Sequence, residues 1–277
     1  MFEFYNQTCQ ECSRLITHRY STSFSLGIRV FSPEFRTPIY SIYGFVRFAD
    51  EIVDTFHGFP KAELLDRFRQ DTYRAIEEGI SLNPVLNAFQ EVVNSYGIER
   101  DLIDAFLDSM EMDLYHSIYG TGLYEKYIYG SAEVVGLMCL RVFCKGDREM
   151  FERLKSPARS LGAAFQKINF LRDLKSDFDE RGRVYFPGVD FNDFTQEDKE
   201  RIEVEIKKDF DDALVGIMEL PQGARLGVYL AYVYYLNLFK KIRRTAAAKV
   251  KEQRIRVNNG KKLYLLFSSA VRMSLNL

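Results

Sequence analysis

Two groups of acids in this chain are spaced for shared work. Asp50 and Asp54 stand four residues apart in the run DEIVD, with Arg47 one helical turn before them. On a helix, positions i and i+4 lie on one face, so two carboxylates can aim at one point. The second group is longer. From Gln166, steps of three, four and four lead to Asn169, Asp173 and Asp177, with Arg172 beside them. All four share a helix face, and the flanking Ala163, Ala164, Ile168, Phe170, Leu171 and Leu174 are apolar or small. A solvated helix end is the plain alternative for the first group, and an interhelical polar network for the second. Like charges at i and i+4 are unfavourable without a partner. The run IYSIYGFVRFA before Asp50 is strongly apolar, so these acids end a largely buried helix. A row of amides and acids on an otherwise buried helix is costly unless something binds it.

Oxygen ligands of this kind suit hard divalent cations. Mg²⁺, with Mn²⁺ as a substitute, takes carboxylates, keeps several waters and is completed by substrate phosphates. Carboxylates alone repel a diphosphate; carboxylates with metal and arginine attract one. Such a metal draws electron density from the bridging oxygen and lets diphosphate leave. An allylic cation left behind needs a dry cavity with electron-rich walls, which aromatic faces supply. The chain has 23 Phe and 17 Tyr but no Trp, and Tyr229, Tyr232, Tyr234 and Tyr235 crowd one segment. Core packing accounts for any single one of them equally well.

The elements that would position these groups are helices. Apolar spacing predicts them near 5–20, 33–55, 61–79, 84–96, 99–118, 123–144, 147–178, 195–219, 222–253 and 258–275. Ser32-Pro33-Glu34 and Asn83-Pro84 are good starts, and Gly97 and Gly120 read as stops. Pro157 is expected to break the seventh helix near its start. The stretch 182–193, GRVYFPGVDFND, is the one clear irregular segment. Strand signals are few, and there is no glycine-rich phosphate loop, fixed-period repeat or low-complexity linker. The expectation is an all-α single domain over 1–277.

Bulk properties agree. Of the 277 residues, 47% are hydrophobic, enough for a large core. Thirty-eight basic residues face 39 acidic ones, which gives no reason to expect nucleic-acid binding. Cys9, Cys12, Cys139 and Cys144 form no disulfide framework, and the lone Cys9-x-x-Cys12 reads as incidental core cysteines. The N-terminal residues do not read as a signal peptide, so a reducing cytoplasm is expected. The apolar run 226–239 is shorter than the roughly 18–20 residues of a membrane span, and Lys240, Lys241, Arg243 and Arg244 follow it. It reads as a buried helix or a cavity wall. His18, His57 and His116 lack metal spacing.

Taken together, these residues resemble the squalene/phytoene synthase family. The likeness runs through Tyr20-Ser-Thr-Ser23-Phe24-Ser25, Arg47 with Asp50-x-x-x-Asp54, and Tyr129-Gly130-Ser-Ala-Glu-Val-Val-Gly136. It continues through Gln166-x-x-Asn169-x-x-Arg172-Asp173-x-x-x-Asp177 and Gly182-Arg183-x-Tyr185-x-Pro187, and ends in RIRVNNGKKL at 254–263. The long second motif with its Gly-Arg-x-Tyr-x-Pro tail is the most specific part. The last segment is most like bacterial phytoene synthases.

The resemblance implies an isoprenoid synthase bundle of helices around a central cleft, with the acid motifs on facing helices. It implies head-to-head coupling of two prenyl diphosphates through a cyclopropyl intermediate, as in carotenoid biosynthesis. Phytoene from geranylgeranyl diphosphate ends in proton loss and needs no NADPH. Squalene or dehydrosqualene from farnesyl diphosphate is the alternative. A non-catalytic assembly factor and a terpene cyclase are the readings from other classes. By position, Asp50, Asp54, Asn169, Asp173 and Asp177 would hold Mg²⁺. Tyr20, Ser23, Arg47, Gln166, Arg172, Arg183 and Tyr185 would contact substrate, and Tyr43 and Tyr129 would lie near the reacting carbons. Tyr20 and Thr22 depart from relatives that carry His and Lys there, and Arg181 stands between Glu180 and Gly182 where many relatives have no residue. Lipid substrates imply peripheral association with the inner face of a membrane. Oligomeric state and final proton acceptor stay open.

Overall fold

The computed structural model describes residues 1–256, and among them the architecture is entirely helical. The order is α1 (Phe2–Tyr20), α2 (Thr22–Arg29), α3 (Pro33–Asp54), α4 (Lys61–Glu78), α5 (Pro84–Tyr96) and α6 (Arg100–Tyr115). There follow α7 (Thr121–Ile128), a π turn (Tyr129–Glu133), α8 (Val134–Cys144), α9 (Arg148–Arg181), α10 (Gln196–Glu219), α11 (Gln222–Arg243) and α12 (Ala247–Glu252).

Local chemistry sets the helix ends. The Asn83 side chain accepts from Val85 and Leu86 N–H ahead of Pro84, and the Asp147 side chain accepts from Met150 N–H at the start of α9. Thr195 and Asp198 cap α10 reciprocally, satisfying donors that a helix start leaves without partners. Gly182 ends α9 in the left-handed region at φ 64°, a conformation that glycine adopts without a steric penalty.

Four expectations change. Pro157 does not break α9, which runs 34 residues through it. A Cβ on Gly216 of α10 would lie 2.3 Å from Pro157 Cβ. The absent side chain lets α10 pack directly on the proline ring, and the contact offsets the lost hydrogen bond. The predicted 222–253 helix is two, α11 and α12, parted at 244–246. α2 was not expected; Ser21, accepting from Phe24 N–H, starts it. Thr121–Cys144 is continuous but contains the π turn. The predicted 258–275 helix lies outside the described residues.

Two apolar clusters form the core. One gathers Phe45, Phe89 and Phe106 from α3, α5 and α6, with the Phe45 and Phe89 rings stacked at 3.9 Å. The other gathers Tyr127, Phe170, Phe210 and Phe239 from α7, α9, α10 and α11. Thr121–Cys144 is long and apolar enough to cross a membrane, but 56% of its most apolar window is buried inside the protein. It packs against α6 and α9 as a core helix. Cys9 and Cys144 are buried, and all four cysteines are free thiols. A single β-bridge, Ile118 with Val184, pins the loop after α9 to the α6–α7 connection. Val184 N–H donates to Ser117 O at 2.8 Å, which fixes the residues on either side of it.

Gly130 in the π turn sets the approach of α6, since a Cβ there would lie 2.3 Å from the Ala105 carbonyl oxygen. Gly130→Ala is predicted to destabilise the fold by about 1–3 kcal/mol, the usual scale of overpacking. Urea denaturation measures it; a change within about 0.5 kcal/mol, the range of neutral surface substitutions, would mean the helices separate freely.

Candidate active site

A largely apolar cavity of about 360 Å³ lies between the two core clusters, walled by α2, α3, α8, α9, α10 and α11. Its polar rim is made by Tyr43 of α3, Gln166 and Asn169 of α9 and Tyr235 of α11, all of which line it. Tyr235 Oη donates to Asn169 Oδ1 at 3.3 Å, and its ring stacks on Phe165 at 3.9 Å. Tyr43 packs on Phe24 at 5.4 Å.

The first acid pair ends α3. Arg47 forms ion pairs with Asp50 and Glu51, and its guanidinium lies 4.3 Å from the centre of the Tyr20 ring. Arg47 Nε is buried and has no hydrogen-bond partner. Burial, followed by the neighbouring charge of Asp54, pushes the Asp50 carboxyl up to about 6, and Arg47 opposes this. On α9, Arg172 Nε donates to both Asp173 carboxylate oxygens at 3.1 Å, and Arg254 Nε reaches Asp173 Oδ1 at 2.7 Å.

Two groups of side chains lie beside the acids. In one, Arg183 reaches Asp54 at 3.2 Å and donates to Tyr185 Oη at 3.3 Å. Burial raises the Tyr185 pKa, with the charges of Asp113 and Asp177 adding to it. In the other, burial raises the pKa of Tyr43 and of Tyr235; Tyr43 also feels Asp50 and Tyr235, and Tyr235 also feels Asp173. The loop pinned by the β-bridge is what delivers Arg183 and Tyr185 to this place.

Sequence reasoning missed Asp113 of α6. Arg183 Nη2 donates to the Asp113 backbone carbonyl at 2.8 Å, and Nη1 lies 3.4 Å from its carboxylate. Tyr127 and Tyr119 hydroxyls donate to the same carboxylate at 2.8 and 3.1 Å. Burial pushes Asp113 up to about 6 against the pull of Arg183. A lone acid in EMDLY, with no i+4 partner, gave no signal.

Tyr129 is a correction. Its ring packs beside the Arg159 guanidinium at 5.2 Å and against the first core cluster, and it does not line the cavity. Tyr127, two residues earlier, reaches Asp113 instead. A two-residue step turns a helical side chain to the far side of the helix. Of the other expected residues, Gln166 lines the rim and Tyr20 lies over Arg47, while the Ser23 side chain is outside those described.

The donor set fits a hard cation. Asp50 and Asp54 supply carboxylate oxygens from α3, α9 carries an amide and two acids of the same hard-ligand type, and the raised Asp50 pKa marks a surplus of negative charge around it. Among the described residues no three His, Cys, Asp or Glu side chains gather closely enough to hold a metal ion by themselves. A metal held here would take its remaining ligands from water and from substrate, as Mg²⁺ does.

Fold and site together define a class of protein: a helical bundle around a largely apolar cavity, with acids and arginines on the helices that wall it. The chain belongs to the squalene/phytoene synthase family, whose model matches residues 17–261. It is 30% identical over 259 residues to the chloroplastic phytoene synthase of Daucus carota, covering 86% of this chain and 64% of that one. It is 33% identical over 169 residues to the phytoene synthase of Pseudescherichia vulneris, covering 57% and 53% respectively. The chain spans between about half and two thirds of the length of the curated relatives it matches first. Its fold is that of a ligand-bound dehydrosqualene synthase, with a TM-score of 0.83, 21% identity and 99% of both chains covered.

The Asp113 carboxyl yields a prediction for the metal-free protein. Its folded pKa of about 6 lies above the ordinary 3.8, so between these values the folded state holds more protons than the unfolded one. Stability therefore falls as pH rises through that window, and Asp50 contributes in the same direction. Asp113→Asn is predicted to flatten the slope of the urea midpoint between about pH 4 and 6. An unchanged slope would mean that Asp113 does not take up the proton.

Proposed function

We propose that this chain is a Mg²⁺-dependent prenyltransferase that joins two geranylgeranyl diphosphates head to head, yielding phytoene through a cyclopropyl diphosphate intermediate. The observation that carries the reading is a largely apolar cavity with Gln166 and Asn169 at its rim, beside the cluster in which Arg183 joins Asp54 of α3 to Asp113 of α6. The phytoene synthases among the chain's relatives support it.

The residues divide the work. Asp50, Asp54, Asn169, Asp173 and Asp177 hold the metal, which when bound neutralises the leaving diphosphate and assists its departure. Arg47, through its spare Nε, and Arg172 and Arg183 bind diphosphate oxygens as charged planar donors. The Gln166 amide orients the same group, with Tyr20, Ser23 and Tyr185 around it. The apolar walls exclude water from the allylic cation, and the faces of Tyr43, Phe165 and Tyr235 offer electron density beside it. The second substrate's double bond captures the cation, and proton loss closes the cyclopropane. Loss of the second diphosphate, rearrangement and a final proton loss give the hydrocarbon. Departing diphosphate is a sufficient base, and no hydride donor enters. Lipid substrates and product place the protein at the inner face of a membrane, held peripherally.

Incubation with farnesyl and geranylgeranyl diphosphates, with and without NADPH, tests the reading. Phytoene from the C20 substrate without NADPH is expected; squalene or dehydrosqualene alone would overturn the choice of substrate. Asp50→Asn and Asp173→Asn are each predicted to lower turnover by about 10²-fold or more, the scale of losing a group that stabilises transition-state charge. Helicity by circular dichroism should be retained. Near wild-type rates at saturating Mg²⁺ would remove these residues from the metal site.

A further inference from the structure

We infer that Phe31, braced by Phe143 and seated on Gly227, is the floor of the cavity and limits the prenyl chain to about four isoprene units. The inference rests on the proposed function and adds the residue that selects chain length.

The helices give the depth. Asn169, a metal candidate at the rim, and Leu154 at the far end both line the cavity from α9. The fifteen residues between them rise by about 22 Å at 1.5 Å each. On α3, Asp50 stands at the acid end, and Phe35 backs the floor through an edge-on contact with Phe143, rings 5.5 Å apart. That is again fifteen residues and about 22 Å. α8 runs antiparallel to α9 and confirms the order: Cβ atoms on Gly162 and Gly136 would meet the carbonyl oxygens of Ala132 and Ala158 at 2.7 and 3.1 Å. Phe143 therefore lies deeper than either contact. An extended isoprene unit adds four bonded carbons, about 5 Å at ordinary bond lengths. Four extended units, about 20 Å, match the roughly 22 Å of helix between Asn169 and Leu154 more closely than three or five do.

Phe31 cannot easily move aside. Its ring lies against α11 where Gly227 has no side chain; a Cβ there would fall 2.2 Å from Phe31 Cε1. Its other flank meets Phe143, with ring centres 5.3 Å apart. The backbone is held as well: Arg36 Nε donates to Phe31 O at 2.8 Å, and Ser32 N–H donates to Gly223 O at 2.9 Å. A ring fixed on three sides excludes a longer chain instead of swinging away. One helical turn before Phe143, Cys139 lines the cavity, its thiol pKa pushed up to about 12 by burial alone. A larger side chain there would raise the floor.

Calorimetric titration of the full chain with C15, C20 and C25 prenyl thiodiphosphates in Mg²⁺ tests this. The wild type is expected to bind C25 at least about tenfold more weakly than C20, within the range that one pocket group discriminates. Phe31→Ala should bring C25 to within about threefold of C20, and Cys139→Phe should shift the C20-to-C15 affinity ratio about tenfold toward C15. Unchanged ratios in both folded variants would overturn the floor. If Phe31→Ala does not fold, Cys139→Phe decides alone. Hydrocarbon formation is scored separately. The expected binding order without product supports the floor and overturns the coupling reading; product with unchanged ratios does the reverse.

Discussion

Negative charge concentrated at the edge of an apolar hole is the constraint on which the structure depends. Asp50, Asp54 and Asp113 are close enough that burial and mutual repulsion hold Asp50 near 6. Removing charge from water is costly unless opposite charge and hydrogen bonds compensate. Arg47, Arg183 and the Tyr119 and Tyr127 hydroxyls supply part of that compensation, and Arg172 and Arg254 do the same for Asp173. The proposed function assigns the remainder to a divalent cation and its anionic ligand. Asp113 has a supporting role in this balance. It holds Arg183 by its backbone carbonyl as well as its carboxylate, so the arginine has a second partner besides Asp54.

The hollow beside this charge is kept open by small residues, and neighbouring cores supply the cohesion it lacks. Gly136 and Gly162 let α8 and α9 approach with backbones nearly touching, and Gly216 lets α10 seat on the Pro157 ring of α9. Close approach on one side leaves the large side chains to meet elsewhere, around Phe45 and Phe89 and around Phe170 and Tyr185. Those stacked rings anchor the helices whose ends carry the acids. Polar chemistry at the rim and apolar volume below it thus come from the same helices, read at different turns.

Much of this could be read in the sequence, for a physical reason. Acid and amide positions that recur every three or four residues on apolar helices announce a shared face, so the helices α3 and α9 that carry Asp50, Asp54, Asn169, Asp173 and Asp177 were visible. The all-α architecture followed from the same periodicity. Features set by contact between distant segments were not visible. Asp113 acquires meaning only when the loop after α9 brings Arg183 onto α6. Tyr127 likewise acquires a role only through its hydrogen bond to Asp113 on another helix. Pro157 reads as a breaker until Gly216 provides the flat surface that accepts its ring. The π turn at Tyr129–Glu133 has no periodic signature of its own, and pi turns of this kind often occur at functional sites.

A crystal structure with Mn²⁺ and a geranylgeranyl thiodiphosphate, phased on the manganese anomalous signal, is the most direct measurement. The arrangement predicts metal peaks between Asp50/Asp54 and Asn169/Asp173/Asp177, bridged by one diphosphate that also touches Arg47, with the prenyl chain pointing toward Phe31. Metal peaks confined to one helix, or a diphosphate bound outside the rim with the cavity empty, would contradict it.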